Sequence, residues 1–347
     1  MRKKVLIVAE ISSNHAQEIS RAFKMIKRAA RAGADAVKFQ AFTPDDITLD
    51  SGNRYFILEH PKWGGERLYD LYKKAYLPYE WLGALQKCAA KEDLVFFATA
   101  FSKRGVDELE KINVPMHKIS SFELNDPSLI EYAAATGKPI ILSTGMATFS
   151  EIESAVRAAR RAGSGRITLL KCTSAYPASP LNMNLRTIPD MKRKFGCEVG
   201  LSDHTIGIAA PLAAVSLGAT VIEKHFTIGG RKDTPDEFFS IKPEELKELV
   251  SSIRAIESVL GEVSYRPAGA ELNMRKYRRS LFVSEDVGKG EVFTEINIRS
   301  VRPGYGMPPA TLGEVLGKRA KKAIKKGSPL NAGMILLAGP VRTGKKK

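Results

Sequence analysis

The sequence has few cysteines, and no apolar run in it is long enough to cross a membrane. Its three cysteines in 347 residues, Cys88, Cys172 and Cys197, form neither a disulfide framework nor a CxxC zinc pattern. Such sparse cysteine usage suits a reducing compartment. The opening residues 1–9 stop at Glu10 without a signal-peptide core, and no apolar stretch approaches the ~20 residues of a membrane span. We therefore expect a soluble, cytoplasmic protein with no membrane partner.

Acidic residues are scarce relative to basic ones, which raises the question of nucleic-acid binding. The chain carries 54 Lys and Arg against 38 Asp and Glu, a formal net charge of +16. The segment 318–347 alone contains ten Lys or Arg and no Asp or Glu. The sequence shows no basic stripe interleaved with aromatics, no zinc finger and no RNP-like motif. We expect a basic surface that collects anionic metabolites, and no nucleic-acid partner.

Short apolar segments alternate with helical patterns up to residue 261. This alternation, repeated eight times, is typical of a (β/α)8 TIM barrel. One connection is unusually long, the excursion 43–77, which contains Trp63 and the aromatic run 68–72. A loop of this length on a regular scaffold is usually functional. The predicted strands are 5–9, 36–40, 94–99, 117–119, 139–142, 167–170, 199–201 and 221–223.

Polar side chains follow the predicted strands at the end where a barrel places its chemistry. In a parallel barrel the carboxyl ends of all strands share one face, and active sites lie there. We therefore expect these side chains to converge on one site. They include Glu10, Lys38, Gln40, Thr99, Lys118, Ser121, Glu123, Ser143, Lys171, Ser174, Ser202, His204, Glu223, Lys224 and His225.

Two of these strand ends carry a histidine each, in the runs 200–205 (GLSDHT) and 221–226 (VIEKHF). The segment 207–218 between them is long enough for one crossover helix, so the two strands are predicted to be parallel neighbours. His204 and His225 would then emerge at the same edge. Two neutral imidazoles in this position suit a divalent metal ion with open coordination positions. The alternative is that both are buried histidines satisfied by hydrogen bonds.

The pattern changes after the barrel. Residues 262–276 are predicted to be a linker, and 277–340 a small domain of short β-like segments, with a basic tail at 341–347. Two turns in the small domain, 286–291 and 323–328, resemble each other. This repetition indicates a compact β domain built from two similar halves.

Short motifs are spread over nearly the full chain. They are 9–11 (AEI) with 14–15 (NH), 37–40 (VKFQ), 118–121 (KISS) with Glu123, 139–146 (PIILSTGM), 171–177 (KCTSAYP), 200–205, 222–226 (IEKHF) and 302–304 (RPG). Together these motifs resemble the sialic-acid synthase family. In that family, neuraminate synthases typically have Asn where this chain has Ser174, and the segments 55–76 and 173–177 are similar to the pseudaminic-acid synthases. The chain departs from the family pattern at Ala16-Gln17, at Ala100 and in the loop 229–239.

The resemblance implies a barrel followed by a C-terminal antifreeze-like (SAF, β-clip) domain, and a domain-swapped homodimer. It implies metal-dependent condensation of phosphoenolpyruvate with an open-chain N-acylated amino sugar. For the pseudaminic-acid branch the sugar is 2,4-diacetamido-2,4,6-trideoxy-L-altrose, and the products are a nonulosonic acid and phosphate. The alternative within the family is an N-acetylneuraminate or legionaminate synthase, using N-acetylmannosamine or its 2,4-diacetamido-6-deoxy analogue.

The resemblance also implies a role for individual residues. The metal, Mn²⁺ before Mg²⁺ or Co²⁺, is expected on His204 and His225. Glu10 is expected to position or activate water, and Asp236 to hold the aldehyde or its hydroxyl. The remaining roles are phosphoenolpyruvate binding by Lys38, Thr99, Lys118, Ser121, Ser143, Ser174 and Ser202, and sugar binding by Gln40, Glu123, Tyr176 and Arg302.

Two other hypotheses about the function also fit the sequence. The first is a class I aldolase that forms a Schiff base on Lys171 or Lys224. The second is a nucleic-acid or ice-binding module carried by the basic β domain.

Overall fold

The computed structural model describes residues 4–59, 64–231 and 234–336. The chain divides into two units between Gly261 and Glu262. Trp63 of the predicted excursion, the end of the predicted small domain at 337–340 and the basic tail at 341–347 lie outside the described residues.

Eight parallel strands close into a barrel in the first unit, and this confirms the predicted fold. Each strand pairs with the next, and β8 pairs with β1, so that Glu10 stands in register with both Lys38 and His225. The predicted bounds differ from the observed ones by no more than two residues at either end. The strands are β1 Leu6–Glu10, β2 Ala36–Ala41, β3 Val95–Ala100, β4 His117–Ile119, β5 Ile140–Ser143, β6 Ile167–Cys172, β7 Glu198–Asp203 and β8 Val221–His225.

Helices surround the barrel, and most of them bury an apolar face. In α1 the buried residues are Ala22, Met25, Ile26 and Ala29, at the spacing of one helical stripe. Pro189 is accommodated in α8 because it lies in the first turn, where backbone N–H groups have no helical partner. The helices of this unit are α1 Ile19–Arg31, α2 Pro44–Ile47, α3 Leu68–Ala75, α4 Leu82–Lys91, α5 Lys103–Lys111, α6 Pro127–Ala134, α7 Phe149–Arg161, α8 Thr187–Phe195, α9 Ala209–Ser216 and α10 Pro243–Leu260.

The excursion between β2 and α4 is more ordered than the sequence pattern indicates. We expected a long loop, whereas the structure contains α2, α3 and a short antiparallel bridge between Ile57 and Arg67. Asp46 in α2 accepts hydrogen bonds from the hydroxyls of Thr43, Tyr79 and Ser102 at 2.7–2.8 Å. These bonds fix the start of the excursion to the barrel wall.

The second unit contains a two-stranded antiparallel sheet, β9 Ser280–Val283 with β10 Ile298–Val301, and the helices α11 Gly269–Met274 and α12 Leu312–Val315. Its core includes Leu281, Phe293 and Leu330. The predicted linker is partly helical, since α11 lies inside it. The two similar turns lie side by side, because Val287 and Ile324 exchange backbone hydrogen bonds.

Among the described residues, none of the helices combines the length and apolar character that a membrane span requires.

Candidate functional site

The carboxyl ends of the barrel strands surround a cavity of about 820 Å³. Strand register brings the polar ends together: Gln40 stands opposite Thr99, and Thr99 opposite Lys118. Thirteen of the fifteen site residues expected from the sequence line this cavity; the other two are Glu10 and Arg302. The thirteen are Lys38, Gln40, Thr99, Lys118, Ser121, Glu123, Ser143, Ser174, Tyr176, Ser202, His204, His225 and Asp236.

Lys38 is one of two lysines buried in the floor of the cavity. Its side chain is 3% exposed, and Nζ lies 2.6 Å from Glu10 Oε2 and 3.8 Å from Glu223 Oε2. Nζ also donates to Thr99 Oγ1 at 2.8 Å. Burial alone would lower the pKa of Lys38, but the two carboxylates raise it above its ordinary value. Lys38 therefore keeps its charge.

Lys118 is also buried, but its ammonium group has weaker electrostatic partners than that of Lys38. Its Nζ donates to the Ile119 carbonyl at 3.1 Å and lies 3.9 Å from Glu223 Oε1. Burial lowers the pKa of Lys118, and the nearby Lys38 acts in the same direction. A buried ammonium so poorly paired is costly. An anion bound in the cavity would supply the missing counter-charge, so the expected anion-binding role of Lys118 is consistent with this geometry and stays a prediction.

Several serine hydroxyls lie on the side of the cavity that holds Lys118. Ser143 Oγ is buried without a hydrogen-bond partner, and Ser202 Oγ donates to Glu223 Oε1 at 3.1 Å. Ser121 Oγ accepts from the Gly145 backbone N–H at 3.0 Å. A side chain at position 145 would crowd these hydroxyls, because a Cβ there would lie 2.1 Å from Ser174 Oγ and 2.9 Å from Ser121 Oγ. The chain after β5 therefore approaches closely enough for these hydroxyls to face one ligand.

Glu10 does not line the cavity, although its strand ends there. The side chain is 1% exposed and is paired with Lys38, which does reach the cavity. Burial raises the pKa of Glu10 to about 7, against the opposing effect of Lys38. In the structure Glu10 contacts the site through Lys38, and its expected role towards water stays a prediction.

Asp236 is held at the cavity by the turn after β1. Its Oδ2 accepts hydrogen bonds from Ser12 Oγ at 2.5 Å and Ser13 Oγ at 2.7 Å. Ser12 adopts a positive φ of 48°, which turns the chain back towards Asp236. Asn14 Nδ2 donates to the Phe226 carbonyl at 3.0 Å and ties this turn to the end of β8. Sequence reasoning missed the two serines, for which the polar run after β1 was the available signal.

His204 and His225 lie side by side as predicted, with ring centroids 5.3 Å apart. His204 Nδ1 donates to the Thr173 carbonyl at 3.1 Å. Burial alone would lower the pKa of His204, but Cys172 and the Thr173 carbonyl raise it above its ordinary value, so Nε2 has a free lone pair only when the ring is deprotonated. His225 Nδ1 is buried without a hydrogen-bond partner. Burial, followed by the charge of His204, holds the pKa of His225 well below its ordinary value, so this imidazole is neutral.

The two histidines fit a metal ion that keeps open coordination positions. Divalent transition metals bind deprotonated imidazoles, so an ion at this pair would displace the proton of His204, whereas His225 is already neutral. In the described ranges 4–59, 64–231 and 234–336, no group of three His, Cys, Asp or Glu side chains is arranged to hold a metal. An ion at this pair would therefore depend on water or substrate for its other ligands.

The sequence matches two family models in the same order as the two structural units. Residues 25–265 match the NeuB family, and residues 278–336 match the SAF domain.

The chain belongs to the NeuB family.

Its relatives include pseudaminic acid synthases from two bacteria. The enzyme of Campylobacter jejuni is 42% identical over 331 residues, covering 95% of this chain and 96% of the relative. The enzyme of Helicobacter pylori is 44% identical, covering 94% of this chain and 96% of the relative. Among solved structures, an N-acetylneuraminic acid synthetase from Leptospira borgpetersenii in complex with citrate is 34% identical, with a TM-score of 0.70 over 78% of this chain and 90% of that chain.

Arg302 belongs to the second unit of this NeuB-family chain. It lies with Met274, Tyr277, Arg278 and Arg279 around a shallow depression of that unit. The structure therefore leaves its expected contact with a sugar untested.

Neither lysine of the aldolase hypothesis is among the residues lining the cavity. Lys224 is 2% exposed, and its Nζ donates to Asp203 Oδ2 at 2.5 Å and to the Thr205 carbonyl at 2.6 Å. Lys171 Nζ donates to the Cys172 carbonyl at 2.9 Å. An amine that forms a Schiff base must reach the substrate carbonyl, so this geometry does not support the aldolase reading.

Glu223 and Cys172 also line the cavity, although the sequence-based prediction gave neither of them a role. Glu223 contacts both buried lysines and Ser202, and its place at a strand end was the signal. Cys172 lies with Sγ 3.9 Å from His204 Nδ1. Burial alone would raise the pKa of this thiol, but His204 lowers it to about 7. The sequence offered no signal for this pair, since the two residues lie on different strands.

Metal binding by the histidine pair can be tested without substrate. We expect His204→Ala and His225→Ala each to weaken Mn²⁺ binding more than about tenfold, because even changes behind a metal ligand cost 10- to 100-fold. Isothermal titration of the substrate-free protein measures this. His117→Gln is the control, because His117 begins β4 at the other end of the barrel and binds Glu110. Unchanged Mn²⁺ affinity in both alanine variants would contradict the assignment.

Proposed function

We propose that this chain condenses phosphoenolpyruvate with open-chain 2,4-diacetamido-2,4,6-trideoxy-L-altrose to give pseudaminic acid and phosphate. The observation that carries the proposal is the cavity, where the buried and weakly paired ammonium of Lys118 lies together with the pair His204 and His225. The chain is also 42–44% identical to pseudaminic acid synthases. We place the reaction in the cytoplasm, because all three cysteines are free thiols.

Phosphoenolpyruvate suits the basic side of the cavity. Its phosphate needs charge-assisted donors, which Lys118 and the hydroxyls supply. Its carboxylate is assigned to Lys38, whose charge is maintained by Glu10 and Glu223. The hydroxyl groups assigned to the phosphate belong to Thr99, Ser121, Ser143, Ser174 and Ser202.

The amino sugar is assigned to the remaining polar side chains. Gln40, Glu123 and Tyr176 line the cavity, and Asp236 is aimed at it by Ser12 and Ser13. Asp236 would hold the aldehyde or its hydroxyl. The ring centroids of Tyr176 and His204 are 4.5 Å apart, so the phenol of Tyr176 would lie beside the histidine pair.

His204 and His225 would hold a divalent ion, Mn²⁺ before Mg²⁺ or Co²⁺. Bound there, such an ion supplies Lewis-acid polarisation of the sugar aldehyde. Cys172 and the Thr173 carbonyl orient the His204 ring from behind.

The reaction forms a C–C bond between the substrates and a C–O bond to water, and it breaks the C–O bond to phosphate. One proton of the water goes to the former aldehyde oxygen, and the other leaves with the phosphate. The enol carbon of phosphoenolpyruvate attacks the aldehyde carbon, water adds to the resulting oxocarbenium-like carbon, and phosphate leaves. Lys118 and the hydroxyls stabilise the departing phosphate. Glu10, with a pKa raised to about 7 by burial, can exchange a proton near neutral pH and is assigned to positioning or activating the water through its contact with Lys38.

We further propose a domain-swapped homodimer in which Arg302 of the partner subunit contacts an N-acyl group of the sugar. Large apolar side chains that follow three of the barrel strands support a covering partner: Phe122 is 57% exposed, Met146 61% and Ile206 64%.

The proposed reaction is tested by incubating the protein with phosphoenolpyruvate and a panel of sugars, and measuring phosphate release. We expect release with 2,4-diacetamido-2,4,6-trideoxy-L-altrose, and at least tenfold lower kcat/KM with N-acetylmannosamine and the legionaminic precursor. An incubation without sugar controls for phosphoenolpyruvate hydrolysis. Equal or faster turnover of N-acetylmannosamine would favour a neuraminate synthase, and no turnover of any sugar would refute the reaction class.

The role of Lys118 is tested by its alanine variant. A hydrogen bond to a charged group contributes roughly 1.5–3 kcal/mol, so Lys118→Ala should raise the KM for phosphoenolpyruvate about 10- to 100-fold. The KM for the sugar should change far less. Lys192→Ala, which removes an exposed lysine paired with Glu198, is the matched control. A change confined to the sugar KM would show that the assignment is wrong.

The partner contact is tested by mixing two inactive variants. Arg302→Ala and Glu10→Gln chains are each expected to lose most activity alone. If Arg302 acts on the partner's barrel, heterodimers contain one site with intact Glu10 and intact Arg302, so mixing restores part of the activity. Sites contained within one chain would stay inactive after mixing.

A further inference from the structure

One wall of the cavity is apolar and is formed by α3. Leu68, Leu71, Tyr72 and Ala75 all line the cavity, and they occur at i, i+3, i+4 and i+7. This is the spacing of a single helical face. We call these four residues the α3 stripe. It faces the cavity that also holds Lys118 and the histidine pair.

The α3 stripe is not part of the protein core. None of the residues of α3 is buried, although a helix packed on a barrel normally buries its apolar face. The opposite face carries Lys73 and Lys74, which are exposed to solvent. The stripe therefore exposes apolar surface to the cavity, where a bound ligand would cover it.

The helix is held in place at both ends. Arg67, before the helix, binds Asp70 at 2.7 Å and Asp50 at 2.7 Å. Gln17 Nε2 donates to the Lys73 carbonyl at 2.9 Å. The Tyr72 ring packs edge-on against Phe42, with centroids 5.9 Å apart. The stripe is thus a positioned wall of the cavity.

From this geometry we propose that the α3 stripe is the apolar part of the sugar subsite, and that it selects amino sugars ending in a methyl group over those ending in a hydroxymethyl group. The inference rests on the proposed function, because it takes the second substrate to be an amino sugar. It goes further by naming the residues that separate 6-deoxy sugars from their hydroxylated counterparts.

The selection follows from the chemistry of the two sugar ends. Leu68, Leu71 and Ala75 have no side-chain group that can accept or donate a hydrogen bond. A hydroxymethyl group placed against them would lose hydrogen bonds to water without replacement. A methyl group there would bury apolar surface on both partners. Such discrimination at an apolar wall amounts to about 10- to 100-fold in kcat/KM.

The test compares 2,4-diacetamido-2,4,6-trideoxy-L-altrose with the same sugar carrying a hydroxyl on C6. The full-length protein should prefer the 6-deoxy sugar about 10- to 100-fold in kcat/KM. Leu71→Asn should reduce that preference about tenfold, and Leu68→Asn, on the same stripe, should reduce it in the same direction. The KM for phosphoenolpyruvate should not change in either variant, because its assigned ligands lie at the strand ends.

Lys73→Asn is the matched control, because it places the same residue on the solvent face of the same helix. Both leucine variants are expected to fold, since α3 contributes no residue to the buried core, and thermal unfolding checks this. An unchanged preference in the leucine variants, with the 6-deoxy sugar still turned over, would overturn the inference and leave the proposed function intact. Failure of the unaltered protein to turn over either sugar would instead refute the proposed function.

Discussion

The interior of the barrel depends on a buried network of ion pairs between two lysines and two glutamates. Glu10, Lys38, Lys118 and Glu223 are each no more than 5% exposed. Their strands β1, β2, β4 and β8 bring opposite charges within 2.6–3.9 Å. Removing one member of such a network leaves an uncompensated buried charge, which typically costs about 3–5 kcal/mol. Lys118 has the weakest pairing of the four, and this is why we assign the anionic substrate to it.

Two kinds of secondary-structure element line the cavity, and they supply different chemical groups. Strand ends supply the cations, hydroxyls and imidazoles to which we assign the phosphoenolpyruvate and the metal ion. The helix α3, inserted between β2 and α4, supplies an apolar wall that the regular barrel lacks. TIM barrels support many different reactions on one scaffold. Because α3 is inserted between β2 and α4, changes in it can alter substrate choice without moving the strand-end residues that we assign to the anion.

Particular residues show which placements at the cavity the sequence could predict and which it could not; the roles assigned to these residues stay predictions. Lys118 and His225 were found because polar residues after an apolar strand are unexpected unless the strand ends at a site. The helix α3 was taken for part of a loop, since its apolar face is narrow and the helix has only eight residues. Glu10 was expected in the cavity, but its side chain is paired beneath it with Lys38. Period-two and period-3.6 patterns identify strands and helices, yet they do not say which neighbour a charged side chain meets.

The sequence by itself determined the order of the eight barrel strands and of most helices between them, the division near Gly261, the polar strand ends and the resemblance to a synthase family. These are local properties, set by spacing, by Gly and Pro, and by short motifs. Only the tertiary structure decided that Glu223 bridges two lysines, that Cys172 lies beside His204, that Ser12 and Ser13 hold Asp236, and that α3 faces the cavity. Each of these contacts joins residues from different elements, and closure of the barrel, through burial of its apolar faces, is what brings those elements together.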